Sequence, residues 1–128
     1  MATIIREFTV ERPATEVWKE VADVGNVNRL IDFLGEVTLD GDTRTCELGD
    51  AGQLEELIVS VDDERMRLAY AVTGSPFNLT HHHASMQVQP DGAGSRLVWT
   101  TDLKPDEMAG AVTEPIDASV ASIERHFA

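Results

Sequence analysis

The sequence predicts an α+β fold, a curved antiparallel sheet of about seven strands wrapped around a long C-terminal helix. Three observations predict it. In the last stretch, Pro105 to Ala128, the residues Met108, Val112, Ile116, Val120, Ile123 and Phe127 recur at steps of four, four, four, three and four, which is one apolar stripe on a helix. From Glu36 to Leu103 the pattern is instead one of short runs divided by polar connectors rich in Gly, Asp or Pro, as in an antiparallel meander. The alternating apolar positions of those runs supply the inner face that a one-striped helix needs as a partner.

The elements follow in order. Thr3 to Val10 alternates loosely through Ile4, Arg6, Phe8 and Val10 and reads as a first strand. Glu11 to Glu16 starts a helix with Pro13 in its first turn, and Val17, Trp18, Val21 and Ala22 give it a buried side. Asp23-Val24-Gly25-Asn26 breaks it. A second short helix, Val27 to Leu34, is expected to bury Leu30, Ile31, Phe33 and Leu34 before Gly35 ends it. The strands then run over 36–40, 43–48, 53–61, 65–73, 79–89 and 95–103. Pro105 closes the last of them and admits the final helix. Pro115 removes a backbone hydrogen bond there and crowds residue 111, so a kink at Ala111 to Thr113, or a helix starting only near Thr113, is expected.

At 128 residues the chain is a single domain, 1–128, with room for one core. No apolar run approaches the roughly 20 residues that span a bilayer, and Met1-Ala-Thr-Ile leads straight into strand-like sequence, so no membrane insertion is expected. Cys46 is the one cysteine, which makes a reducing cytoplasm the expected compartment. A net charge of −13, with only Lys19 and Lys104 beside eight arginines, argues against nucleic-acid phosphates and anionic membranes as partners.

Register carries the functional inference. Side chains alternate along a strand, and hairpin partners stand opposite one another. If Leu48 pairs with Gly52, Cys46 faces Leu54 and Arg44 faces Glu56. If Ser60 pairs with Met66 across Asp62-Asp63-Glu64, Ile58 faces Leu68 and Glu56 faces Tyr70. Pairing about Pro76 sets Tyr70 opposite His82. The result is a polar row, Arg44, Glu56, Tyr70, His82, on the apolar face of the sheet, with Trp99 near Met86. A polar row under an apolar helix stripe is what a half-filled cavity needs, and one slip of register scatters it. On strand 53–61 a second register competes, because Leu57, Val59 and Val61 also alternate. One register puts Glu56 inside and these three outside; the other reverses them.

The order of elements resembles the helix-grip arrangement, and several local signatures resemble the START/polyketide-cyclase (SRPBCC) superfamily. They are Gly41-Asp42-Thr43-Arg44, Glu56 six residues before Asp62-Asp63, Tyr70, Pro76, and Trp99 ahead of Leu103-Lys104-Pro105. The likeness extends over essentially the whole chain and is strongest to the bacterial polyketide cyclase/dehydrase and lipid-transport-like group. It implies a deep apolar pocket between sheet and helix, lined at the positions of Arg44, Glu56, Tyr70 and His82. His stands where an aromatic such as Tyr is frequent, and Asn28 to Leu34 replaces a region where the family usually carries tryptophans. The resemblance also favours Glu56 inside.

Each polar candidate has two readings. Arg44 and Glu56 form either an inward ion pair that satisfies itself or a pair that holds a ligand carbonyl and hydroxyl. Tyr70 is packing or an acid. His82, in a partly dry pocket beside Tyr70, is bonded within the protein or acts as a general acid/base titrating near neutrality. Met86, Trp99, Ile116 and Val120 are the expected apolar ligand contacts. His81 and His83 point outward about 7 Å apart; a zinc ion needs further ligands, so they read as solvated histidines and no metal or other cofactor is expected. No nucleophile elbow, phosphate-binding Gly loop or Cys cluster is present. Leu57, Val59 and Val61 suggest a subunit contact, as in a homodimer, or a covering segment on the outer face. Two functions fit: binding of a small hydrophobic molecule (a lipid, an aromatic polyketide or a related metabolite), or a polyketide cyclase/aromatase or dehydratase using Arg44, Glu56, Tyr70 and His82.

Overall fold

Ala2–Val10 forms β1, one edge of a seven-stranded sheet. In the computed structural model, which describes every residue from Met1 to Ala128, β1 is followed by the helix α1 (Ala14–Val21) and a 3-10 helix over Val24–Arg29. Then come β2 (Val37–Asp40), β3 (Thr43–Glu47), β4 (Gln53–Asp62), β5 (Arg67–Gly74), β6 (His81–Asp91), β7 (Gly94–Lys104) and the helix α2 (Ala109–His126). The sheet order is β1-β7-β6-β5-β4-β3-β2, with every neighbouring pair antiparallel. This is the helix-grip arrangement that the sequence predicts. No helix is long and apolar enough to cross a membrane.

The core lies where α1 and α2 cover the β1-β7-β6 side. Val17 of α1, Val88 of β6, Leu97 and Leu103 of β7 and Ile123 of α2 are almost completely shielded, each such side chain contributing about 1.5–3 kcal/mol of transfer free energy. Gly94 is required at the start of β7, because a Cβ there would lie 2.7 Å from the Val10 carbonyl of β1.

Two predicted elements differ from the structure. α2 starts at Ala109, well before Thr113, and is continuous across Ala111–Thr113 with Pro115 inside it. Burial of Val112 and Ile116, one on each side of Pro115, outweighs the lost backbone bond. The predicted helix Val27–Leu34 is replaced by the earlier 3-10 helix, whose Asn26 already leaves helical geometry. The chain beyond it is held by α2 instead: the Ser122 hydroxyl donates to the Leu30 carbonyl at 2.7 Å and accepts from the Asp32 N–H at 3.0 Å. Leu30 is buried as expected, Ile31 and Leu34 are half-buried, but Phe33 stays 44% exposed.

The register is correct on one side and shifted on the other. Arg44 faces Glu56 and Cys46 faces Leu54, as predicted. On β4–β5, however, Ile58 faces Tyr70 and Glu56 faces Val72. The turn is not Asp62-Asp63-Glu64: Asp62 pairs with Arg67, and Met66 in the turn adopts a left-handed φ of 51°. Likewise Tyr70 faces Ala84 rather than His82. Glu56 is inside, only 4% exposed, so the competing register is excluded. The outer strip is also interrupted. Leu57, Val59 and Val61 are all exposed, but a bulge between Ile58 and Ser60 sets Val61 opposite Leu68, out of line with the other two.

Candidate ligand-binding site

Between α2 and the inner face of β3 to β7 lies a mostly apolar cavity of about 160 Å³. Arg44, Glu56, Tyr70 and His82 all line it, although the shifted register makes their row staggered rather than straight. Met86 and Trp99, directly paired on β6 and β7, form wall, and Ile116 faces them from α2. Val120 is not part of the lining; it packs half-buried against the core, and its neighbours Ser119 and Ile123 face the cavity instead. Part of the lining retains solvent contact, including Phe33, Phe77 and Leu79.

At one end Arg44 and Glu56 form a buried ion pair through a single contact, Nε to Oε1 at 2.8 Å. Arg44 Nη1 also donates to the Val24 carbonyl at 3.1 Å, tying the 3-10 helix to the sheet. The Cys46 thiol is 3.8 Å from Glu56 Oε1. These contacts leave Arg44 Nη2 and Glu56 Oε2 without a protein partner. Since no fully buried side-chain polar atom is orphaned, both atoms keep some accessible surface, and both residues line the cavity. Burial raises the Glu56 pKa against the opposing pull of Arg44, and burial next to Glu56 pushes the Cys46 thiol up to about 11.

The other end is neutral. Trp99 Nε1–H donates to the Tyr70 hydroxyl at 3.2 Å, and burial raises the pKa of that phenol. The Val72 backbone N–H donates to His82 Nδ1 at 2.9 Å. Burial, with the charges of His83 and His81, lowers the His82 pKa to about 4, so the ring does not titrate near neutrality as the sequence suggested. The rings of Tyr70 and His82 are tilted neighbours with centroids 5.8 Å apart, and Arg44 Cζ sits 5.6 Å from the Tyr70 centroid, joining the two ends. On the outer side, His81 is exposed and pairs with Lys104 while His83 pairs with Asp102; no three His, Cys, Asp or Glu side chains gather there or elsewhere as a metal site.

A family model described as polyketide cyclase/dehydrase and lipid transport matches residues 1–128. The chain belongs to that family. Its fold is shared with solved structures, among them an uncharacterized protein from Bacillus thuringiensis, at TM-score 0.91, 17% identity and 98% coverage of both chains. A second, from Thermobifida fusca, is 28% identical at TM-score 0.84, covering 98% of this chain and 93% of that one. The di-domain ARO/CYC BexL from the BE-7585A biosynthetic pathway matches at TM-score 0.84 and 16% identity, over 98% of this chain and 46% of its own length. No curated protein matches the chain.

Several site features escaped the sequence reading. Ser119, a cavity-lining residue whose hydroxyl donates to the Pro115 carbonyl at 2.7 Å, lies three residues on from Ile116 on the buried side of α2, and Ser122, three further on, is not in the lining but holds the Leu30–Asp32 segment over it. Helical spacing alone marks both positions; their polarity hid them. Phe77 and Leu79 lie in the β5–β6 connection, where no periodicity points to the cavity.

Proposed function

We propose that this protein binds a small, largely apolar molecule in the cavity beneath α2, with the polar row fixing the ligand's oxygen functions. The observation that carries this reading is an apolar enclosure lined by a buried ion pair with two uncommitted atoms, Arg44 Nη2 and Glu56 Oε2. About 160 Å³ is close to the size of an engineered dry cavity that takes up benzene, so one aromatic ring fits inside and a larger skeleton extends towards Phe33 and Phe77. Lipids, aromatic polyketides and related metabolites meet that description. Ser119→Phe, which fills the cavity from the helix side, is expected to weaken binding of a one-ring apolar probe by about tenfold or more while circular dichroism stays unchanged. Undiminished binding in that folded variant would overturn the proposal.

Glu56 favours a second reading, a cyclase/aromatase or dehydratase. A carboxyl with a raised pKa and one free oxygen facing the ligand is a proton-transfer group, Arg44 is placed to polarise a carbonyl, and Tyr70 is a donor. His82 has a different role in this version, because its Nδ1 is already committed to Val72. Turnover of a poly-β-ketone analogue that disappears in Glu56→Gln supports the enzyme; no turnover across a panel of such substrates, with binding intact, leaves the carrier.

A further inference from the structure

We infer that His82 is a hydrogen-bond donor locked in one tautomer, and that with Tyr70 it selects neutral ligands carrying an acceptor oxygen on an apolar, ring-sized skeleton. This rests on the cavity being a ligand site. A backbone N–H only donates, so the Val72 bond to His82 Nδ1 means that this nitrogen carries no proton. The proton of the neutral ring is therefore on Nε2, which has no protein partner and is not a fully buried orphan, so it meets open space. Tyr70 is committed in the same sense. The indole N–H of Trp99 only donates, so the phenol oxygen accepts, and its own proton has no acceptor in the protein.

The sheet itself holds the imidazole in place. The β5–β6 ladder ends at Tyr70 opposite Ala84, although β5 continues to Gly74 and β6 begins at His81. His82 Nδ1 occupies the place where a backbone carbonyl would otherwise accept from Val72. Turning the ring over, or moving its proton to Nδ1, strands that N–H, so the ring stays as a donor. Arg44, against the face of the Tyr70 ring, adds a third uncommitted donor in Nη2. Three donors thus meet one free acceptor, Glu56 Oε2, and the Arg44–Glu56 charges already cancel. A ligand carboxylate would bring a second anion beside Glu56, and an amine would face mostly donors. A ketone oxygen satisfies the donors without adding charge, whereas a hydrocarbon of the same shape leaves them unpaired in a dry site.

The test compares acetophenone with α-methylstyrene, which puts a methylidene group where acetophenone has its oxygen. Both are titrated into the full-length protein by calorimetry, alongside the His82→Phe variant. The expected result is a preference of about tenfold for the ketone in the wild type, falling to within about threefold in His82→Phe. Long-range proton–nitrogen NMR of the wild type provides a readout that a merely structural histidine would not move. It should show the Nε2–H tautomer of His82, with its signal displaced by acetophenone and not by α-methylstyrene. Equal affinities in the wild type, or a proton on Nδ1, overturn the inference while leaving the cavity as a ligand site. If neither probe binds, the cavity reading falls and takes the inference with it.

Discussion

The two ends of the polar row meet the same cost of desolvation in opposite ways. On β3 and β4, Arg44 and Glu56 bring full charges to 3% and 4% exposure and survive there by neutralising each other. On β5, β6 and β7, Tyr70, His82 and Trp99 are polar but uncharged, and each is tied by one bond to a partner within the protein. Charge that is buried in pairs is expensive to disturb, because removing one member leaves the other unpaired. Neutral donors are cheaper to alter. The charged end therefore anchors the fold, and under the proposed function the neutral end is the one free to set selectivity.

The largest effect that separates the ends is the loss of one charge. Arg44→Leu is expected to cost about 3–5 kcal/mol in urea denaturation by leaving Glu56 alone, whereas Arg44→Leu combined with Glu56→Leu should return to within about 2 kcal/mol of the wild type. A single substitution that costs no more than the double one would show that the pair is not buried in solution.

The pH dependence of stability sharpens the contrast, because the two ends contribute with opposite sign. The folded pKa of His82 is lowered to about 4 from 6.5, so its contribution is present above pH 6.5 and is lost as pH falls through that window towards 4. After discounting for partial exposure the loss is on the order of 2 kcal/mol, and His82→Phe should remove it. The folded pKa of Glu56 is raised, so its contribution is complete below the ordinary value of 4.5 and is lost as pH rises through the folded value. In Glu56→Gln that loss on the rising side should vanish. Urea midpoints measured from pH 3.5 to 8 in the three proteins separate the terms.

The smallest effect is at Tyr70. Tyr70→Phe leaves the Trp99 N–H unpaired and should cost about 1 kcal/mol, read as a fall in thermal midpoint with the fold retained.

How much of this was legible in the sequence depends on what sets each feature. The helix stripe, the meander and the Arg44–Glu56 pairing follow from periodicity and from a hairpin whose Gly49 and Gly52 mark the turn, both at positive φ. The β4–β5 turn has no glycine. Met66 takes the left-handed position, and nothing in its chemistry announces that, so the pairing of Glu56 and Tyr70 was misplaced by two residues. The bulge at Val59 likewise resembles unbroken alternation until the partner strand is present. His82 was recognisable as inward-facing, but its tautomer depends on a ladder that stops at Tyr70, which no residue type records. The early start of α2 depends on tertiary burial overriding Pro115, again invisible to local propensity.

A residue-resolved NMR titration of the intact protein with acetophenone tests the central claim most directly. A ligand seated beside the polar row predicts saturable shifts at Tyr70, His82, Met86, Trp99 and Ile116, with Leu57 and Val59 on the outer face unmoved. Saturable shifts confined to the outer face, with the residues beneath α2 silent, would contradict it.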